Sequence, residues 1–190
     1  MAGLNGKRLF GYEKERIGNL SFKIMGCFLA LRDVFTPVNK RMESFGIKEG
    51  YRVVDYGCGI GSYIQRASEL VGPRGTVYAV DIHELSIKAV EEKKNRYGLT
   101  NVITILVNNY PMNIGSNSID LIYAMDMFHM VKDTKTFLLE LNRIIVPNGL
   151  LLIERGHQPR IIARRKIEDS YCWEVINETK EIFRCRPVQT

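Results

Sequence analysis

The sequence predicts an α/β fold: a doubly wound, mostly parallel sheet of seven strands in a three-layer αβα arrangement, closed by a C-terminal antiparallel hairpin. Three observations carry this. After Gly50, short β-branched runs alternate with longer stretches of helical periodicity, and strands that alternate with helices build parallel sheets covered on both faces. The run Val53-Val54-Asp55-Tyr56-Gly57-Cys58-Gly59-Ile60-Gly61 passes from apolar strand to acid to three alternate glycines, and a helical pattern follows. The last two runs flank Asn177-Glu178-Thr179-Lys180 with no helix between them, so they pair as a hairpin.

Each element has a local reason. Residues 1–20 are polar and glycine-punctuated and read as a loose arm, whereas Phe22 to Phe45 is helical in pattern with a break at Pro37. Tyr51–Asp55 is the first strand. Ser62–Val71 is a helix stopped by Gly72-Pro73. Thr76–Val80 is the second strand, and Glu84–Tyr97 a helix ended by Gly98. Val102–Val107 is the third strand, followed by a loop over Asn108–Ser118, and Ile119–Ala124 is the fourth. Asp133–Val146 carries Phe137, Leu138, Leu141, Ile144 and Ile145 at helical spacing. Pro147-Asn148-Gly149 reads as a turn and Leu150–Glu154 as the fifth strand. Ile161–Lys166 is a short helix, and Ser170–Ile176 and Glu181–Cys185 are the hairpin strands.

At 190 residues the chain fits one domain. Residues 1–45 are expected as an arm and helix packing on or capping a site built by residues 46–190. No apolar run reaches the roughly 18 residues needed to span a membrane. Lys7-Arg8 is not followed by the apolar core of a secretory signal, so a cytoplasmic location is the default. Cys27, Cys58, Cys172 and Cys185 form no CxxC pair; Cys172 and Cys185 are the one pair a hairpin could bring face to face. The net charge of +6 permits an RNA or anionic membrane partner. Its basic residues gather in Lys7–Lys23 and Arg155–Lys166, as solvated faces or as binding surfaces.

In such sheets ligands sit at the carboxyl ends of the strands. Asp55 and the glycines follow strand one, Asp81 follows strand two, and Asn108 with Asn109 follows strand three. Glycines at this spacing let the backbone approach a ligand. An acid just before them suits a cation, such as the sulfonium and ammonium of S-adenosylmethionine (SAM), better than a pyrophosphate. Asp81 could accept from both hydroxyls of a ribose, or simply cap the next helix. Asn108 could meet an adenine edge or be a turn residue, with Ile82 and Tyr110 flanking the ring. The dinucleotide fingerprint G-x-G-x-x-G fails, because the third glycine arrives one residue early and position 62 is Ser.

These residues resemble a class I SAM-dependent methyltransferase of the type 11-like kind. The glycine segment, Tyr78-Ala79-Val80-Asp81-Ile82, Asn101–Asn108, Ile119–Ala124 with Phe128-His129-Met130-Val131, and Leu141–Gly149 resemble that family's motifs in order. The resemblance implies a Rossmann-like sheet with SAM as cofactor. Asp55, Gly57, Cys58 and Gly59 would hold its methionine part, with Gly61 supporting the turn. Asp81 and Ile82 would hold the ribose side, Asn108 and Asn109 the adenine. Asp126, past strand four, is placed near the methionine or the acceptor. Candidate bases are Asp126, His129 and His157, with Glu154 on the same rim and Tyr12 in the arm; His129 equally fits a packed structural role.

A small-molecule acceptor is expected, because no Asn-Pro-Pro-Tyr or nucleophilic Cys follows strand four, where the chain reads Ala124-Met125-Asp126-Met127. No carboxylate cluster argues for a metal site. Only about 15 residues join strands five and six, so pocket walls must come from residues 1–45 or another subunit. Phe22, Met25, Phe28, Leu29, Val34 and Phe35 are candidates for an apolar lining. RNA or protein methylation, and SAM binding without catalysis, are the alternatives.

Overall fold

A computed structural model describes residues 18–35 and 38–188; the arm and Tyr12 lie outside them. Among the described residues two helices come first, α1 (Asn19–Phe35) and α2 (Val38–Glu43). Then follow β1 (Arg52–Tyr56), α3 (Ile64–Val71), β2 (Thr76–Asp81), α4 (Glu84–Tyr97), β3 (Val102–Leu106) and β4 (Ile119–Ala124). A 3-10 turn (Phe128–Met130) precedes α5 (Thr134–Ile144), β5 (Ile145–Glu154), α6 (Arg160–Glu168), β6 (Trp173–Glu178) and β7 (Ile182–Pro187).

The seven strands form one sheet in the order β3-β2-β1-β4-β5-β7-β6. β1 to β5 run parallel, and β7 is antiparallel to both β5 and β6. Alternate residues of each strand face opposite layers. Val54, Tyr56, Ile122 and Ile153 pack with Phe137, Leu138 and Leu141 of α5 and Ile167 of α6. Val53, Val77, Leu121, Tyr123 and Leu152 pack with Ile64, Ala67 and Val71 of α3, Val90 of α4 and Met42 of α2. Strand order reverses between β1 and β4, which opens a crevice at their carboxyl ends.

The helical pattern of Phe22–Phe45 is two helices, on either side of an expected break that lies outside the described residues. One expectation is corrected: the fifth strand starts at Ile145 and runs through Pro147-Asn148-Gly149, where a turn was expected. Ile145 is buried and pairs with Ile119, whereas Leu121 pairs with Leu150, so the surplus residues bulge out between these anchors. The hairpin does not bring Cys172 and Cys185 face to face. Cys185 faces Val175 and Trp173 faces Pro187, which leaves Cys172 outside the ladder, and both thiols are free and buried.

Candidate active site

A cavity lies over the carboxyl ends of β1, β2 and β4, with about 1310 Å³ of empty space including its mouth. Its wall carries polar groups, Asp55, Asp81 and Ser86 with the backbone of Gly57, Cys58 and Gly59. It also carries apolar side chains, Met127, Met130, Val131 and Phe137 from the sheet side and Phe22, Met25 and Leu29 of α1. α1 thus forms one wall of the cavity. Phe28, expected in that lining, points outward and is 69% exposed.

Asp55 is 2% exposed, and its Oδ2 has no hydrogen-bond partner in the protein. Burial pushes its carboxyl up to about 8, opposed by the Tyr123 hydroxyl and Lys93 and reinforced by Asp81. A buried acceptor without a donor costs free energy, and a donor or cation bound in the cavity relieves that cost. Asp81 is also buried and its pKa is raised, again chiefly by desolvation. Its Oδ2 accepts from Gly59 N–H at 2.9 Å and its Oδ1 from His83 N–H at 2.9 Å. Asp81 therefore does not cap α4. That cap is His83, whose Nδ1 accepts from Leu85 N–H at 3.1 Å. Phe22 of α1 stacks on the His83 ring, with centroids 4.4 Å apart.

The glycine loop is fixed from below. Gly57 and Cys58 N–H groups donate to Val80 O at 2.8 and 3.1 Å, and Lys93 Nζ donates to Gly61 O at 2.9 Å. Gly61 serves the turn and does not reach the cavity wall. Ile82 and Tyr110 do reach it, and Tyr110 shares a 2.7 Å hydroxyl contact with Tyr56. Asn108 and Asn109 are exposed and stand outside the wall.

Of the candidate bases, only Asp126 lines the cavity. It has φ 53, and its N–H donates to Glu154 Oε2 at 2.9 Å. Glu154 in turn pairs with Arg41 of α2 at 2.7 Å, and Arg41 donates to Tyr63 Oη at 3.1 Å. This chain of contacts ties α2 to the loop that carries Asp126. Replacing Arg41 by alanine is expected to lower stability by about 1–2 kcal/mol, since the pair is partly screened. It is also expected to raise the acceptor KM more than it lowers kcat, which steady-state kinetics would show.

His129 and His157 pack edge to face, with centroids 5.0 Å apart, behind the wall. His157 is exposed, its Nε2 3.5 Å from Asp126 Oδ1. His129 Nδ1 is buried without a partner, and burial lowers its pKa, with Asp126 opposing. Gly156, at φ 63, lies directly against that nitrogen, where a Cβ has no room. Gly156→Ala should therefore cost about 1–3 kcal/mol in urea denaturation. Binding of S-adenosylhomocysteine (SAH) should stay within about threefold of wild type, because His129 does not line the cavity.

Residues missed from sequence are Arg32, Tyr63, Met127, Thr136 and Phe137 in the wall, and the His83 cap. Arg32 carried a usable signal: Phe22, Met25, Leu29 and Arg32 fall at helical spacing on one face. In the basic segment, Arg155 pairs with Glu181, Arg160 with Glu178, and Arg164 with Glu168 and Glu178. Much of that charge is offset. Among the described residues no group of side chains suits a metal ion, and no helix is long and apolar enough to cross a membrane.

Residues 47–184 match the profile of a methyltransferase domain. The chain belongs to that family. The methyltransferase domain is 30% identical over 126 residues to a demethylmenaquinone methyltransferase of Geobacillus kaustophilus, a match covering 66% of this chain and 54% of that protein. It is 26% identical over 189 aligned positions to the ubiquinone/menaquinone biosynthesis C-methyltransferase UbiE of Shewanella baltica, covering 92% of this chain and 75% of that one. The chain thus spans about half the length of the first relative and three quarters of the second. Among solved structures, a SAM-dependent methyltransferase from Aquifex aeolicus superposes with a TM-score of 0.65 at 29% identity, over 80% of this chain and 88% of that one. Coclaurine N-methyltransferase, bound to N-methylheliamine and SAH, gives 0.55 at 25% identity, over 62% and 34%. The domain's cofactor is SAM. The residues present fit it: an unpartnered buried carboxyl oxygen, a second buried carboxyl group and the glycine loop line the same cavity.

Proposed function

We propose that this methyltransferase domain moves the methyl group of SAM to a small apolar acceptor. The observation that carries the reading is that one cavity is walled both by two buried carboxyl groups beside the glycine loop and by apolar side chains of α1 and of the segment after β4. When bound, SAM supplies an electrophilic methyl on a positively charged sulfur. Asp55, Gly57, Cys58 and Gly59 would hold its methionine part. Asp81 and Ile82 would hold the ribose side and Tyr110 would flank the base, with Asn108 and Asn109 at the outer rim. Phe22, Met25, Leu29, Met127 and Phe137 would seat the acceptor and exclude water. Such positioning can supply as much as roughly 7–11 kcal/mol.

Residues 1–45 act in this reading as a cap over the site and residues 46–190 as the SAM-binding unit. Asp126, whose N–H donates to Glu154, would act as the base that takes up the proton the acceptor loses on methylation, from a heteroatom or from the methylated ring carbon. His129 and His157 support that loop. The curated relatives suggest a quinol-type aromatic carbon as the methylated atom. The absence of any cysteine pairing, with all four thiols free, supports a reducing, cytoplasmic setting.

Calorimetry with SAM and SAH, followed by product analysis on a short-chain demethylmenaquinol, tests the reading. Binding of both ligands and a methylated quinol, lost in Asp81→Ala, is the expected result. Folded protein that binds neither ligand at millimolar concentration refutes it. The alternative of RNA or protein methylation rests on the +6 charge. It predicts binding to RNA or acidic protein that weakens steeply with salt.

A further inference from the structure

α1 is apolar on two opposite sides. Phe22, Met25 and Leu29 face the cavity. Leu20, Ile24, Phe28 and Leu31 face outward and are 73%, 52%, 69% and 57% exposed. At about 100° per residue the outward four fall within a stripe about 80° wide, and exposed Lys23 stands at its edge. A helix apolar all round is normally covered all round, so the stripe calls for an occupant.

Two features of the molecule identify one. Residues 1–43 contain eight Lys and Arg against four Asp and Glu, which places four of the six net positive charges in the segment that includes α1. The stripe is also small: four such side chains offer roughly 450 Å², about half of the ~800 Å² per partner that a stable protein interface uses. An apolar stripe with a lysine at its edge, in a segment of net positive charge, lies instead in the headgroup region of an anionic bilayer, where no minimum matching surface is needed.

We propose that the outer face of α1 docks this domain on an anionic lipid bilayer. The inner face of the same helix contributes Phe22, Met25 and Leu29 to the cavity wall. An acceptor dissolved in the lipid then has a short path to the cavity, a consequence that rests on the apolar acceptor proposed above.

Flotation of the full chain with vesicles tests the docking directly and needs no methyl transfer. At low ionic strength the protein should float with phosphatidylglycerol-containing vesicles and bind pure phosphatidylcholine at least about tenfold more weakly. The double variant Ile24→Glu/Phe28→Glu should lose about tenfold in vesicle affinity. Its SAH affinity should be unchanged, because neither side chain lines the cavity. Lys23→Glu provides a second, gentler variant, expected to weaken binding to the anionic vesicles alone. Three results overturn the proposal: no flotation of wild type, equal flotation of wild type and double variant, or a wild-type dimer that the double variant converts to monomer. Failure of wild type to bind SAH while still floating strikes the methyl-transfer reading and leaves the docking intact.

Discussion

Gly57→Val is expected to abolish detectable SAH binding and to destabilise the domain by about 2–4 kcal/mol. Gly57 sits at φ 78, a region closed to β-branched residues. A Cβ placed there would stand 2.8 Å from Met127 Cγ and 3.1 Å from Met127 Cβ. Met127 cannot retreat freely, because it packs against the core beneath α5. The loop must therefore unwind, breaking the Gly57 and Cys58 N–H bonds to Val80 O that set its height above the sheet. The glycine loop and the Met127 side chain, which both line the cavity, move together. Calorimetry should show at least about a 100-fold loss of affinity. A variant that binds SAH within tenfold of wild type would mean that the loop does not hold the cofactor.

The second large effect is a separation of stability from affinity in Asp55→Asn. The folded-state pKa of Asp55 lies at about 8, against an ordinary value of 3.8. The native chain therefore holds this proton more tightly than the unfolded chain. The resulting stability is fully present below about pH 4 and is lost as pH rises through about 8. Asparagine keeps the shape and removes the titration. The apo variant should melt above the apo wild type, by a margin that grows from mildly acidic pH to about pH 8 and then levels off. Cofactor binding should go the other way. A cationic ligand favours ionised Asp55, so SAM binding to wild type should strengthen toward pH 8 and release a proton. The variant should bind at least about tenfold more weakly and with a flatter pH profile. Thermal melts across pH, with calorimetry in buffers of different ionisation enthalpy, read both arms. Identical pH slopes for the two proteins would show that Asp55 is not the group in question.

Much of the fold was legible because its signals are local. Val53-Val54, Val77–Val80 and Leu121-Ile122 are short β-branched or apolar runs beside helical periodicity, and each became a strand of the parallel sheet. Gly98 closed its helix as expected. Proline and glycine at 147–149 misled because a bulge between two anchored pairs carries the same residues as a turn. Cys172 and Cys185, which a hairpin could have set face to face, do not meet, because register in the hairpin is set by which side chains reach the core, here Trp173, Phe183 and Cys185, and not by spacing between thiols.

The site was legible where it follows the strands and obscure where it depends on distant segments. Asp55, the glycines and Asp81 stand at consecutive strand ends, so their convergence is a property of the topology. The capping role of His83 was hidden because histidine is an uncommon cap, and Asp81 offered a better-known one. Asn108 follows its strand in sequence, yet the chain has already turned outward there, and Tyr110 reaches the wall two residues later. The contribution of α1 needed a contact across more than 60 residues, Phe22 on His83, that no local pattern encodes.

The terminal hairpin imposes an order of assembly. β6 joins the sheet only through β7, which lies between it and β5. A chain emerging from the ribosome makes β6 first, and β6 has no strand to pair with until the segment ending at Pro187 is free. Trp173 and its neighbours must wait, unpaired, for a strand made after them, so co-translational folding of this domain finishes at its far end in one late step.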